Sequence, residues 1–314
     1  MSSIATPALW TLFGVVVSGL LALDLFLFHG RKRPLGASEA LLWSMVWIVV
    51  ALLFNGFVYF QFGGEHGLEF LTGYLIEKAL AVDNLVVFAL IFSYFGIPLA
   101  RQRRVLFFGV VGALVFRAAF IAAGASLLAR FDWLGYLFGA FLALTGLKLL
   151  ARAHQLHPQA NPVFRMLQKV IPVINADVDR FFVRRNSRLF ATPLFLALLL
   201  IELSDIIFAV DSIPAIFAVT SDVFIVLTSN IFAILGLRAM YTLLADLLVR
   251  LKYLRVGLAL VLVFVGIKML VAPFHEIPIL VSLGAVAALL SASAIASLVR
   301  PRVVRPTRLN PDGS

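Results

Sequence analysis

The chain contains no cysteine. That excludes disulfides, thiolate metal sites, iron–sulfur clusters and cysteine nucleophiles. Histidine is also scarce. The five are His29, His66, His154, His157 and His275, and all fall in segments that read as connections between apolar stretches. This disfavours haem or a histidine-built zinc site inside a membrane. Charge is thin, with 13% of residues against about 25% in a soluble domain. No Walker loop, His-Glu-x-x-His or Gly-x-Ser-x-Gly occurs, and nothing else in the chain reads as an enzyme. The acids Asp83 and Asp211 lack the neighbours expected of an intramembrane aspartyl protease.

Apolar sequence fills the space. Of the 314 residues 62% are hydrophobic, and the mean hydropathy is +1.04. A bilayer-spanning helix takes about 20 apolar residues. Nine such stretches run over 7–28, 41–60, 70–95, 105–128, 133–150, 193–219, 223–249, 254–271 and 278–299. The fold class that follows is an all-α polytopic membrane protein with about nine transmembrane helices, embedded in a lipid bilayer. The first stretch does not read as a cleaved signal, because no basic residue precedes it and Arg31-Lys32-Arg33 follows it.

The 26 Lys and Arg against 16 Asp and Glu give a net charge of +10. Twenty of the bases lie in odd-numbered loops and the tail, and the even-numbered loops hold only Arg130. Basic residues stay on the cytoplasmic side. The N-terminus is therefore expected outside and the C-terminus in the cytoplasm, and the +10 describes topology rather than a nucleic-acid partner. The segment 152–192 is the one sizeable extramembrane piece. Within it, 161–170 has the spacing of a surface helix, and Phe181-Phe182-Val183 with Leu189-Phe190-Ala191 reads as a small hairpin.

Two parts of the chain resemble each other. Ala81-Val82-Asp83-Asn84 matches Ala209-Val210-Asp211-Ser212, a register that sets Glu77 on Asp205. Leu114 to Ala118, around Arg117, matches Leu235 to Ala239, around Arg238, and Gly146-Leu147-Lys148 matches Gly266-Ile267-Lys268. Spans three to five and six to eight are then copies of one three-helix unit. An odd number of helices forces opposite orientations, the inverted repeat of many secondary transporters, with substrate held near the midplane. The chain divides into two helices in 1–68, a first repeat in 69–151, a basic cytoplasmic loop in 152–192 and a second repeat in 193–272. A ninth helix in 273–299 and a disordered basic tail in 300–314 complete it.

A charge at the bilayer centre costs about 2.5–3.5 kcal/mol even on lenient scales. Glu77, Asp83, Glu202, Asp205 and Asp211 fall deep in the spans, with Arg117 and Arg238, while Lys78 sits at intermediate depth and Asp24 near a helix end. Arg117 and Arg238 are expected to pair with acids and brace helices, supported by Lys78 and Asp24. Carboxylates remain in excess, as a cation path requires. Glu202 and Asp205 share a helix face at a spacing of three. Asp211 lies about 240° further round from Asp205. Pro214 removes a hydrogen bond at that level, so a helix break there is expected to turn Asp211 inward. With Asn84 and Ser212 the candidate metal ligands are all hard oxygen donors, which suit manganese, magnesium or calcium and disfavour copper, nickel and zinc.

The strings Thr72 to Asn84, Glu202 to Asp205, Phe208 to Ile216, Thr228-Ser229-Asn230 and Leu235 to Tyr241 resemble those of the TerC/Alx family of integral membrane proteins. Arg101 to Leu106 and Phe181 to Arg184 are similar to its Alx branch. The resemblance covers nearly the whole chain. It implies association with tellurium resistance, with alkaline-responsive expression and with manganese export, within a LysE-like group of exporters built on three-plus-three helices. The family's intramembrane acids correspond to Glu77, Asp83, Glu202, Asp205 and Asp211. Tellurite is an oxyanion that such a site would repel, so the tellurium label reads as phenotype.

The function expected is a secondary exporter of divalent manganese in a prokaryotic inner membrane, exchanging protons, with no permanently bound cofactor. Two alternatives stand beside it: a non-transporting scaffold or redox-stress modulator, and a transporter of calcium or another divalent cation. The sequence leaves the oligomeric state open.

Overall fold

The computed structural model describes residues 3–29, 36–131, 133–151, 180–185, 188–244, 253–275 and 277–299. The expected surface helix at 161–170 and the tail at 300–314 lie outside these residues. Ten helices and one hairpin occur among those described: α1 (Pro7–His29), α2 (Ala37–Phe62), α3 (Gly64–Tyr94), α4 (Leu99–Arg130), α5 (Leu134–Ala151), β1 (Phe182–Arg185), β2 (Arg188–Ala191), α6 (Pro193–Phe217), α7 (Val223–Ile234), α8 (Leu237–Leu244), α9 (Leu254–Val271) and α10 (Ile279–Val299).

In lipid every backbone N–H and C=O needs a partner within its own segment, so apolar runs of this length become helices. The breaks fall where local chemistry puts them. Gly63 turns the chain between α2 and α3 at φ +101°, a value L side chains avoid. Asp222 caps α7 by accepting from Phe224 N at 2.9 Å and Ile225 N at 3.1 Å, and it also accepts from Ile4 N at 2.6 Å. That last bond ties the start of the chain to the middle of the bundle. The hairpin forms as the two aromatic triplets suggest, antiparallel, with Arg185 opposite Arg188. His66 is not in a connection. It stands in the first turn of α3, with Nδ1 2.9 Å from Glu69 Oε2.

Seven helical stretches among the described residues are long and apolar enough to cross a membrane, and Val256–Val271 is a shorter apolar helix. The 31-residue α3 has the length but holds Glu77, Lys78 and Asp83 within one bilayer-length stretch. Its departure from an apolar span is therefore a matter of charge. The stretch Val223–Leu243 is 89% buried inside the protein, whereas Pro7–Asp24 and Ile279–Ser297 are each 17% buried. Span seven is thus the centre of the bundle, and α1 and α10 are its periphery.

Span seven is also where the helix breaks. It divides into α7 and α8 at Leu235-Gly236, with Gly236 at φ +83°. A methyl on Gly236 would come within 2.6 Å of the Trp47 ring. The break expected at Pro214 is not found: α6 continues through Pro214 to Phe217. The reason is position. A proline removes one hydrogen bond and crowds the preceding turn, but here the helix ends three residues later, so little remains to be displaced.

Two apolar clusters organise the packing. One joins α1 and α2 to α3, α4, α6 and α7 through Phe13, Trp47, Phe70, Leu106, Ile201 and Phe224. The other seats α5, α9 and α10 against α3 through Ile76, Leu80, Leu142, Leu262 and Val286. The α5–α9 contact is made by small residues, the device that brings helix backbones together in membranes. A methyl on Gly146 would meet Ala259 O at 2.6 Å and Val263 N at 2.9 Å. One on Gly266 would meet Ala143 N at 2.5 Å and Gly139 O at 2.7 Å.

Candidate functional site

Four helices deliver polar side chains to one buried point. Glu77 and Asn84 come from α3, Arg117 from α4, Asp205 and Ser212 from α6, and Asn230 from α7. Glu77 and Asn84 are seven residues apart, as are Asp205 and Ser212, so each pair falls on one face about two turns apart. The exposures of Glu77 (0%), Asn230 (0%), Arg117 (1%), Asn84 (1%), Ser212 (1%) and Asp205 (4%) leave no route for bulk water to screen them.

Arg117 is the hub. Its Nε donates to Asp205 Oδ2 at 3.1 Å and its Nη2 to Asp205 Oδ1 at 3.1 Å, the two-bond fork that matches a carboxylate. Nη1 pairs with Glu77 Oε1. It also lies 3.4 Å from Ser212 Oγ and 3.4 Å from Asn230 Oδ1. Asn84 Nδ2 donates to Asp205 Oδ1 at 3.3 Å. The two acids that the internal register makes equivalent, Glu77 and Asp205, therefore share one guanidinium. With both ionised the trio carries one net negative charge.

Several polar atoms are left over. Glu77 Oε2, Asn84 Oδ1 and Asn230 Nδ2 are buried without a hydrogen-bond partner among the described residues. Glu202 stands one turn before Asp205 on α6. It does not pair with Arg117; its carboxylate lies against Gly112 of α4, where an added methyl would overlap it. Its Oε2 is likewise buried without a described partner. A buried polar atom with no partner is costly, and the four in this region make it the candidate site.

The supporting residues divide differently from their sequence order. Arg238, the register equivalent of Arg117, reaches away from the site and donates from Nη1 to Asp24 Oδ2 at 2.7 Å. Its guanidinium also lies over the Phe107 ring, 5.5 Å from the centroid. Asp24, read from sequence as solvated at a helix end, is instead buried at 6% exposure. The ammonium of Lys78 donates to Ala233 O at 3.1 Å and Leu235 O at 3.5 Å. These carbonyls are freed by the break in span seven, and a cation at a helix C-terminus is favourable there.

Of the sequence-derived ligands, Glu77, Asn84, Asp205 and Ser212 converge, and Glu202 stands one turn off. The side chains of Asp83 and Asp211 lie outside the described part of the structure. Among the described residues no three His, Cys, Asp or Glu come together closely enough to hold a metal ion. The set nonetheless fits a hard divalent cation in its chemistry, with carboxylate, amide and hydroxyl oxygens, two of them unpartnered. Asn230 was not singled out from sequence. Its signal was the run Thr228-Ser229-Asn230 inside an apolar span, each of them fully buried.

Comparison with known proteins supplies the context. The family model "Integral membrane protein TerC family" matches residues 62–305. The chain is 52% identical over 302 residues to "Uncharacterized membrane protein STKORF319" of Myxococcus xanthus, covering 96% of this chain and 95% of that one. It is 52% identical over 298 residues to "Putative membrane-bound redox modulator Alx" of Escherichia coli (strain K12), covering 91% and 92%. A protein of the same printed name from Salmonella typhi is 48% identical over 307 residues, covering 94% and 95%. No solved structure matches the chain.

Proposed function

The chain belongs to the TerC family of integral membrane proteins, and we propose that it is a secondary transporter exporting divalent manganese through the site around Glu77 and Asp205. One observation carries the reading. Buried oxygen donors from α3, α6 and α7 surround two carboxylates with unpartnered oxygens left over. Hard oxygen ligands select manganese, magnesium or calcium. Manganese is preferred for the resemblance described above.

The architecture supports transport by an inverted repeat. Gly146 contacts Ala259 and Val263, while Gly266 contacts Gly139 and Ala143. Shifting every number by 120 turns one set into the other. Two elements that exchange their contacts in this way are related by a local two-fold axis. For antiparallel spans five and eight that axis lies in the membrane plane, the symmetry that lets one site face either side. With the basic loops in the cytoplasm, the N-terminus lies outside a prokaryotic inner membrane. Carboxylates that shed protons as metal binds would couple manganese export to proton entry by linkage.

Purified protein in proteoliposomes tests this directly. An imposed proton gradient should drive manganese in the direction opposite to the protons, and Glu77→Gln, Asp205→Asn, Asp83→Asn and Asp211→Asn should each cut flux at least tenfold. Absent flux, or flux unchanged in all four variants, would sink the proposal. Competition by calcium decides whether the selectivity belongs to that ion instead.

A second reading has its own support. The Arg117 and Arg238 ion pairs are struts joining five helices, and several relatives carry the printed name of a redox modulator. On that reading the protein moves nothing, and added Mn²⁺ leaves its thermal unfolding temperature unchanged.

A further inference from the structure

We infer that Arg117 is a tethered counter-ion, which holds the place of the transported cation between Glu77 and Asp205 and is displaced towards Glu202 when that cation binds. The inference rests on the transport reading above and adds to it how the empty carrier offsets part of its carboxylate charge.

Three observations lead to it. The first is placement. The guanidinium engages both register-equivalent acids at once, taking up three of their four oxygens and leaving Glu77 Oε2. A divalent ion bound by the same two carboxylates needs the same space, so guanidinium and metal exclude each other. The second is the incomplete satisfaction of the network. Asn84 Oδ1 and Glu77 Oε2 are buried acceptors with no donor among the described residues. A guanidinium with five N–H groups does not reach them, whereas a metal ion recruits oxygens from several directions.

The third is a second station. Glu202 lies three residues before Asp205, about 4.5 Å along α6. Its carboxylate rests on Gly112 of α4, five residues before Arg117 on the same helix. Helical side chains lean towards the N-terminus of their helix, which is the direction from Arg117 to Gly112. The absence of a side chain at Gly112 leaves room for the Glu202 carboxylate beside the path. A one-turn swing therefore carries the guanidinium from one carboxylate pair to a carboxylate that has no described partner.

This arrangement has a physical purpose. Two unneutralised carboxylates in a dry interior are costly, and a carrier must reset without cargo. Arg117 offsets one of the two negative charges during that step and leaves the other for a proton. The cost is affinity, because a site occupied by its own guanidinium binds metal with an affinity lowered by the fraction of time it is vacated.

The test is Mn²⁺ binding to full-length purified protein, by calorimetry and by thermal unfolding, for wild type, Arg117→Gln, Arg117→Lys and Glu202→Gln. The expected result is at least tenfold tighter binding in Arg117→Gln and an intermediate gain in Arg117→Lys, whose point charge holds one carboxylate in place of a fork. Glu202→Gln should bind at least threefold more weakly, since the displaced guanidinium loses its second partner. Metal-free Arg117→Gln should unfold at lower temperature than wild type, and Mn²⁺ should close the gap. If Arg117→Gln does not fold without metal, the Lys and Glu202 variants decide. Wild type that binds while the Arg117 variants bind no tighter overturns this inference alone. Wild type that binds no Mn²⁺ removes the transport reading and this inference together.

Discussion

Charge inside an apolar chain is conspicuous, and at the scale of single residues that made most of the site visible. Glu77, Asp205 and Arg117 stand out because each would be costly if unpaired in lipid. Asn230 did not stand out. An uncharged amide is tolerated in many settings, and its contact with Arg117 depends on how far a side chain from another helix reaches. The partner of Arg238 was also hidden, since Asp24 is 214 residues away in sequence. Breaking that buried pair has a predictable sign. Asp24→Leu or Arg238→Met should each cost about 3–5 kcal/mol, because each removes one member of a buried ion pair. The double variant Asp24→Leu with Arg238→Met should recover most of the loss. Thermal unfolding in detergent around that double-mutant cycle is the check. Additive losses would show that the two residues are not coupled.

Elements raise a different question, namely where a helix can stop inside a membrane. Pro214 was the obvious candidate and α6 runs through it; Gly236 was the site, and it lacks proline's conspicuous chemistry. The break at Leu235-Gly236 is viable because Lys78 satisfies the freed carbonyls of Ala233 and Leu235. Lys78 follows Glu77 directly on α3, so one helix carries both a site carboxylate and the clamp on the broken span. Lys78→Met should destabilise the protein by about 1–3 kcal/mol through the stranded carbonyls. Gly236→Ala should cost about 1–3 kcal/mol, from a left-handed backbone angle and from the Trp47 ring beside it. Both are read as shifts in unfolding temperature. Gly236→Ala without a shift would place the break elsewhere.

For the whole molecule, two predictions concern which way the chain lies in the membrane and how tightly its two halves are joined. The natural absence of cysteine makes the first simple. Phe274 is 85% exposed beyond α9, and Arg185 is exposed on the hairpin. With the proposed orientation, Phe274→Cys reacts with a membrane-impermeant maleimide in intact cells, and Arg185→Cys reacts only in inverted vesicles. The reverse pattern would invert the topology. For the second, Gly266→Val would drive a side chain into the backbone of Ala143 and Gly139. Overpacking of this kind costs about 1–3 kcal/mol or more, and here it should lower the yield of monodisperse protein well before it alters any single ligand. A glycine at the lipid-facing position 14, where an added methyl meets nothing, should accept the same change silently.

The sequence by itself determined that this is a membrane protein, how its apolar stretches are spaced, where the hairpin forms and which acids fall inside the spans. Those properties are local: each follows from the cost of moving a particular side chain or backbone group out of water. Only the tertiary structure decided that Glu77 and Asp205 share Arg117, that Arg238 turns instead to Asp24, and that the broken span is the seventh. Those outcomes depend on which helices lie side by side. The cost of a buried charge demands a partner, but the spatial neighbours that packing brings within reach decide which partner it finds.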